Sequence, residues 1–195
     1  MIVSPTHSVR CNYREPDMPM IASPGADDCK PLHIIAAALG GVVALSLANA
    51  EPTIRGKTVA DWIVQLDDLD PHKKVCAADA LGVCGSPCSV ALPSLRAQYR
   101  DPKLPLFAST AFADSILRIS DQPETEVITF LTDLLDQEMQ KPYGRLPPVG
   151  AIRALGTAGS RAKSTVQLLR AICPLAGSYT LEAGRALAKI DGSEC

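Results

Sequence analysis

Two cysteines, Cys84 and Cys88, lie close together in the stretch ALGVCGSPC, which covers residues 80–88. Thiols at this spacing could bind a metal, exchange electrons, form a local disulfide or fill small buried positions. Zinc takes four ligands in recurring spacings, but no second close cysteine pair occurs, and His72 is the only histidine after residue 50. A thioredoxin-like site takes C-x-x-C at a strand–helix junction, whereas three residues separate these thiols. Two interpretations stay open: small packing residues, or a disulfide, because a tight corner brings Cα atoms within the roughly 4.4–6.8 Å that it needs.

Other catalytic constellations are missing from the sequence. No G-x-S-x-G, G-x-G-x-x-G or Walker pattern occurs. The triplet at 56–58 resembles the end of a phosphate loop but lacks its upstream glycine. We interpret His72 as a solvated side chain, and Asp67, Asp68 and Asp70 as an acidic surface at a turn, since no calcium-binding loop follows. We therefore expect no catalytic residue, no metal site and no cofactor.

The composition is that of a globular protein whose core is built from aliphatic side chains. The chain has 195 residues, of which 47% are hydrophobic and only 4% aromatic, and this favours close helix–helix packing over a β-sandwich. The formal net charge is −2, so no basic excess points to nucleic acid or to an anionic membrane surface. We expect no nucleic-acid partner.

The first fifty residues have the pattern of an export signal with an extension. Residues 1–31 hold five prolines and no apolar period, so we predict a disordered extension there, which a downstream start codon would shorten. Residues 32–50 contain no Asp, Glu, Lys or Arg and end in the motif ANA, which is typical of a signal-peptide cleavage site. We therefore predict a mature chain 51–195 in the periplasm or the medium. The alternative is that an uncleaved 32–50 segment anchors the protein in a membrane.

Five cysteines follow residue 50. Export would place them in an oxidising compartment, where an odd number leaves at least one thiol unpaired or paired between chains. Cys195, at the very end, is predicted to be that free or intermolecular thiol. Pairing of Cys84 or Cys88 with Cys76 or Cys173 is a further alternative to a bond between the first two.

A repeat is visible when the sequence is shifted by 74 residues. ALGVCGSPCSVALPSLRA, residues 80–97, then aligns with ALGTAGSRAKSTVQLLRA, residues 154–171, with eight identities in eighteen positions. Two further segments resemble these, which makes four copies. Their marker positions are spaced 35, 39 and 32 residues apart: Leu81, Ile116, Leu155 and Leu187. Periods of this length indicate stacked helical repeats.

The repeat bears on the two cysteines. Under the 74-residue shift, Cys84 falls on Ala158 and Cys88 falls on Ala162. Cysteine is small and often buried, so it substitutes well for alanine in packing. The repeat therefore favours two small residues in a helix–turn–helix corner, with a local disulfide as the alternative.

Each copy is predicted to be a pair of helices. In the first copy, apolar residues at helical spacing predict helices over 72–83 and 89–100. Gly82 and Gly85 are predicted to end the first of these helices. Together these residues would form a tight corner.

Prolines are predicted to mark the helix starts, because proline suits the first turn of a helix. Pro71 and Pro102, each preceded by an aspartate, would begin the first and second copies. Pro147 and Pro148 can only lie at the start of the helix that opens the third copy.

A further helix over 56–66 is predicted before the repeats. Thr58 is its expected N-cap, and Asp61 is the expected partner in a capping box. Trp62 is the only tryptophan. We expect it to cover the open apolar face of the first copy, since terminal repeats need a cap.

These units resemble HEAT repeats, in particular the short variety also found in the phycobilisome-lyase-like group. The residues that carry the resemblance are AADALG at 77–82, with its preceding Asp-Pro, and AIRALG at 151–156. The resemblance covers about residues 56–191, but the second copy departs from it because its corner, SDQP at 120–123, lacks the glycines. It implies an all-α fold: an α-solenoid of about three and a half helix–turn–helix repeats with an N-terminal capping helix.

The resemblance also implies a function for one surface. In HEAT-like solenoids the second helices line the concave face, so six polar residues become candidate contacts: Arg96, Arg100, Asp133, Gln137, Gln167 and Arg170. We therefore expect a non-catalytic scaffold that binds an unidentified protein or peptide. Two alternatives are a bilin lyase or isomerase activity, as the phycobilisome-lyase resemblance implies, and a structural envelope protein that oligomerises through Cys195.

One charge pattern predicts a contact between copies. The position two before the marker residue is Asp79, Asp114, Arg153 and Arg185 in the four copies. Because equivalent positions in stacked repeats are neighbours, Asp114 and Arg153 are predicted to meet across an interface. A partly exposed pair of this kind contributes about 0.2–1 kcal/mol.

Overall fold

A computed structural model describes residues 53–141, 147–175 and 177–195, and this part of the chain is mostly helical, which confirms the all-α prediction. A short hairpin, β1 and β2, opens it, and eight α-helices follow. Two 3₁₀ segments, Ser86–Ala91 and Gly159–Thr165, lie between helices. The bounds are β1 Thr53–Ile54, β2 Lys57–Thr58, α1 Val59–Gln65, α2 Pro71–Cys84, α3 Leu92–Gln98, α4 Leu106–Ile119, α5 Thr125–Met139, α6 Val149–Ala158, α7 Val166–Ile172 and α8 Ser178–Ile190.

The predicted extension 1–31 and the predicted signal segment 32–50 lie outside the described residues. Within the described ranges, none of the helices combines the length and the apolar character that a membrane crossing requires.

The predicted capping box of the entry helix is confirmed, but the predicted start at residue 56 is wrong, because α1 begins at Val59 after the short strand Lys57–Thr58. The Thr58 hydroxyl accepts a hydrogen bond from the Asp61 amide at 3.1 Å, and the Asp61 carboxylate accepts one from the Thr58 amide at 3.0 Å, which is a capping box. Trp62 is 6% exposed and belongs to the core. Its indole Nε1 donates to the Ile54 carbonyl at 2.8 Å, which ties the hairpin to α1.

The helices pack in two sets. α2, α4, α6 and α8 pack against one another in chain order, and we call them the first helices. α1, α3, α5 and α7 each pack against the first helix that follows them in the chain. The core lies between the two sets and is almost entirely aliphatic and alanine-rich, with Phe112 as its largest fully buried side chain.

Glycine lets the first helices approach closely. A Cβ built on Gly156 of α6 would lie 3.0 Å from the Ala186 Cα of α8, and one on Gly82 of α2 would lie 3.0 Å from the Ser115 Oγ of α4. The prediction that Gly82 ends its helix is therefore wrong, because α2 continues to Cys84. This glycine serves helix–helix contact instead.

The corners that follow α2 and α6 have the same shape. Gly85 has φ 70° and ψ −147°, and Gly159 has φ 57° and ψ −138°, a region that only glycine enters without steric cost. Three residues on, Cys88 (φ −93°, ψ 19°) matches Ala162 (φ −98°, ψ 23°), and both are fully buried. The 74-residue repeat thus holds at the level of the backbone.

Two of the three predicted helix starts are confirmed. Asp70 caps α2 by accepting the His72 amide at 2.8 Å, with Pro71 at the first helical position, and Pro148 is the N-cap of α6. The start at Pro102 is wrong, because α4 begins at Leu106 after Pro105. Asp101 instead accepts the Lys103 amide at 2.9 Å and forms a turn.

The corner after α4 has no glycine and is stabilised by hydrogen bonds from a residue distant in the sequence. Glu124 adopts φ 46°, which is unusual for a residue with a side chain. Arg161, in the next corner along the chain, donates to the carbonyls of Leu117 at 2.7 Å, Ser120 at 2.8 Å and Gln122 at 2.8 Å. These carbonyls belong to the last turn of α4 and the loop after it, so the guanidinium satisfies backbone acceptors at the end of this helix.

Candidate interaction surface and the cysteine pairs

The second-helix face is the surface formed by the exposed side chains of α3 and its C-terminal end, α5 and α7. All six predicted contact residues are exposed on it: Arg96, Arg100, Asp133, Gln137, Gln167 and Arg170. The structure brings Arg100, Asp133 and Gln137 together around one cavity of about 340 Å³. The other three do not line that cavity.

Two half-buried side chains complete the cavity, and neither is among the six predicted contact residues. Phe130 and Leu134 of α5 line its wall. Both belong to the apolar stripe of α5, but Val127, Leu131 and Leu135 take the buried centre of that stripe. The spacing of Phe130, Asp133, Leu134 and Gln137 is the signal that could have identified them, because residues i, i+3, i+4 and i+7 share one helix face.

Arg96 and Arg170, which are equivalent in the repeat, contact the next part of the chain. Arg96 forms an ion pair with Glu124, in the corner after α4. Arg170 lies 3.9 Å from the Asp191 carboxylate, just after α8. Arg96 of α3 therefore reaches an acidic residue just after α4, and Arg170 of α7 reaches one just after α8. Both arginines connect neighbouring parts of the fold.

The carboxylate of Glu124 is strongly influenced by this contact. Burial raises the pKa of Glu124, but hydrogen bonds from Arg96 and Ser120 and the charges of Arg96 and Arg161 outweigh burial, and the pKa lies below its ordinary value. Glu124 is thus held as an anion in a left-handed backbone conformation. Its negative charge is therefore compensated by arginines of the same chain.

The first helices carry an ionic row at their own surface. Asp79 of α2 accepts Arg55 at 3.2 Å and lies 3.7 Å from Arg118 of α4, which in turn pairs with Asp114 at 2.7 Å. The Thr157 hydroxyl of α6 donates to Asp114 at 2.6 Å. Asp79 and Asp114 therefore take part in contacts between successive helices, but their partners there, Arg118 and Thr157, do not lie at the equivalent positions.

The predicted pair of Asp114 and Arg153 is nevertheless wrong. Arg153 of α6 turns toward α8 and pairs with Glu182 at 2.9 Å, and Arg185 lies 3.3 Å from the same carboxylate oxygen. Glu182 is 8% exposed. A hydrogen bond from Arg153 lowers the pKa of Glu182 against the opposing effect of burial, and the charges of both arginines act in the same direction as that bond.

The ion pair of Glu182 with Arg153 is expected to make the free energy of unfolding depend on pH in the acid range. Its folded-state pKa lies below its unfolded-state pKa, so its contribution is complete above the ordinary glutamate pKa of roughly 4.3 and is lost as the pH falls through the lower, folded value. We expect Glu182→Gln to lower the free energy of unfolding near neutral pH by about 1 kcal/mol, since Arg153 stays largely exposed. The same variant should lose less stability on further acidification than the unsubstituted protein. Urea titrations at a series of pH values measure both effects.

A matched control for this prediction is Glu126→Gln. The Glu126 side chain is 84% exposed and lies 4.0 Å from Arg100, so this variant should keep the acid profile of the unsubstituted protein. If Glu182→Gln also kept that profile, the buried ion pair would not contribute to acid sensitivity.

Cys84 and Cys88 form a disulfide, with their Cα atoms 5.9 Å apart. This confirms the local disulfide over pairing with Cys76 or Cys173. The interpretation that the repeat favoured, two unbonded packing residues, is therefore wrong, although Cys88 is fully buried at the position that Ala162 occupies in the matching corner. The bond therefore crosslinks a corner that the chain also builds with alanine.

Cys195 is not free, and the prediction of a free or intermolecular thiol there is wrong. It forms a disulfide with Cys173, at a Cα separation of 5.4 Å. The bond ties the C-terminal residue to the end of α7, and the Cys195 Sγ lies 3.6 Å from a Cβ built on Gly184 of α8. The sulfur is thus engaged within the chain, so it offers no intermolecular crosslink while this bond persists. No spacing rule in the sequence pointed to this pair.

The residues considered for chemistry have ordinary surroundings. His72 is exposed and stacks on Phe107, with ring centroids 5.1 Å apart. Within residues 53–141, 147–175 and 177–195, no group of three or more His, Cys, Asp or Glu side chains is placed to hold a metal ion.

Comparison with known proteins does not extend this description. No family model matches the chain, and no match was found among curated proteins or solved structures. The resemblance to HEAT repeats therefore stays a prediction based on the residues at 77–82 and 151–156.

Proposed function

We propose that this protein is an exported, non-catalytic scaffold that binds a protein or peptide along the second-helix face. We further propose that its helices form an α-solenoid of about three and a half HEAT-like repeats, with α1 as the capping helix. The ordered packing of α2, α4, α6 and α8, and the matching corners at Gly85 and Gly159, support this architecture. In such a fold each repeat contacts its neighbours and the stack presents an extended surface.

The observation that carries the proposal is the cavity on the second-helix face. Arg100, Asp133 and Gln137 surround it with charged and amide groups, while Phe130 and Leu134 give it an apolar wall. Binding sites for proteins and peptides combine apolar anchors with a polar rim in this way. On the surface of the first helices, by contrast, several charges are already paired with one another, within the ionic row and between Arg153 and Glu182.

Export is supported by two observations. The segment 32–50 has the composition and terminal motif of a signal peptide. Within the described part of the chain, two disulfides join four of the cysteines that follow it, and disulfides persist mainly in oxidising compartments.

Site-specific photocrosslinking in cells that produce the protein tests the proposal. A benzophenone side chain placed at Gln137 or Gln167 should yield a defined crosslinked partner, whereas one at Lys189, an exposed residue of α8, should yield little. The intact mass of the protein in the same sample should match that of a chain that begins at Glu51. Equal crosslinking from Lys189, or no adduct from either glutamine, would count against binding through the second-helix face.

A further inference from the structure

The cavity on the second-helix face has a preorganised wall. Phe130 packs edge-on against Tyr99, with ring centroids 5.2 Å apart and an interplanar angle of 85°, and Tyr99 is buried in the core. Aromatic pairs favour this geometry. The Phe130 ring is therefore held in place before any ligand arrives.

Arg100, the positively charged residue of the cavity wall, already has contacts within the chain. The Arg100 guanidinium donates to the Glu126 carbonyl at 3.2 Å, lies 4.0 Å from the Glu126 carboxylate, and lies 5.2 Å from the Tyr99 ring centroid. Its charge is partly neutralised and its direction is set by these contacts. Arg100 thus forms a side wall of the cavity and is a weak attractor for an anion.

Asp133 is the negatively charged residue of the cavity wall. α5 carries four carboxylates and no Lys or Arg: Glu126, Asp133, Asp136 and Glu138. Glu126 faces Arg100, Glu138 pairs with Lys141, and Asp136 accepts a hydrogen bond from Gln140. Among the residues that the structure describes, Asp133 has neither an ion pair nor a hydrogen bond through its side chain. A ligand in this cavity therefore meets an uncompensated negative charge beside an aromatic ring.

We propose that this cavity binds a lysine or arginine side chain of a peptide segment, with a neighbouring apolar side chain packed against Phe130 and Leu134. The inference rests on the proposed scaffold function and names the chemistry of its partner. Charge complementarity selects the cation, because Asp133 is a carboxylate of the cavity wall without an ion pair or hydrogen bond among the described residues. Gln137 supplies an amide that both donates and accepts hydrogen bonds, which suits a peptide backbone.

The size of the cavity agrees with this ligand. A volume of about 340 Å³ lies at the lower end of the roughly 300–1,000 Å³ that is common for ligand pockets. It accommodates a side chain or two, and the rest of an extended peptide would lie outside it along the second-helix face.

Titration of the isotope-labelled protein with two capped tetrapeptide amides, Gly-Leu-Lys-Gly and Gly-Leu-Glu-Gly, tests the inference. We expect the lysine peptide to shift the backbone amide resonances of residues 130–137, with a dissociation constant of about 1 mM. The glutamate peptide should bind at least about fivefold more weakly. Asp133→Asn should weaken binding of the lysine peptide by about fivefold, which corresponds to the upper range for an exposed ion pair.

Asp136→Asn is the matched control, since it removes an equal charge from the same helix outside the cavity. It should change the affinity by less than about twofold. Equal binding of the two peptides, or equal losses in the two variants, would overturn the cavity as a cation site. Shifts confined to α3 or α7 would also overturn it, while leaving the scaffold function intact, because the photocrosslinking result decides that function independently.

Discussion

Removal of the Cys173–Cys195 disulfide is expected to lower the free energy of unfolding by about 3 kcal/mol. The bond closes a loop with a sequence separation of 22 residues that contains the whole of α8. In the chain-entropy description, closing a loop of this length removes many conformations from the unfolded chain. It also holds Cys195 beside Gly184 of α8. Urea denaturation of the Cys173→Ser, Cys195→Ser double variant measures the loss.

The Cys84→Ala, Cys88→Ala double variant is the internal comparison. Its disulfide spans only four residues in sequence, and the two alanines restore the residues found at 158 and 162, where the same corner forms without a crosslink. We expect a smaller loss, of about 2 kcal/mol at most. If this variant lost more stability than the Cys173 and Cys195 variant, the corner would depend on its crosslink after all.

Gly156→Ala is expected to lower the free energy of unfolding by about 2 kcal/mol, although alanine is the better helix former. An added Cβ would lie 3.0 Å from the Ala186 Cα and 3.1 Å from its Cβ. These are parts of the α8 backbone and its first side-chain carbon, and they cannot rotate away. The substitution would push α6 and α8 apart and open the packing between them. Thermal and urea unfolding monitored by circular dichroism measure the change.

Gly184→Ala is the control for this prediction, because it makes the same change in a helix interior where there is room. Its Cβ would lie 3.6 Å from the Cys195 Sγ, an ordinary contact. We expect the free energy of unfolding to rise by about 0.5–1 kcal/mol through helix propensity alone. A gain in both variants would show that the close approach of α6 and α8 is not required.

The position after each marker residue shows how far a repeat predicts structure. It is Gly82, Leu117, Gly156 and Ala188 in the four copies. α4 and α6 meet through a different glycine: a Cβ on Gly150 would lie 2.5 Å from the Thr110 Oγ1. Ala188, at the equivalent position of α8, is exposed. The glycine that recurs at this position makes the close contacts of α2 with α4 and of α6 with α8, although its residue type alone had suggested a helix end, while α4 and α6 use another pair of positions.

The sequence by itself determined the local structure. Apolar periodicity predicted the helices approximately, but the predicted helix over 89–100 is shorter, because a 3₁₀ segment precedes α3 at Leu92–Gln98. The start of α2 follows from Asp70 and Pro71, the entry of α1 from Thr58 and Asp61, and two corners from Gly85 and Gly159. These features depend on interactions between residues a few positions apart, so the residue types suffice to predict them.

Only the tertiary structure decided which distant side chains meet. Arg153 pairs with Glu182 in place of Asp114, and Cys195 forms a disulfide with Cys173. Phe130 lies at the edge of the apolar stripe of α5 and lines the same cavity as Asp133. Such contacts depend on the offset and rotation between successive helices, which are set by the close packing of backbone against small residues. A shift of one turn in that packing would change every long-range partner and leave each helix intact.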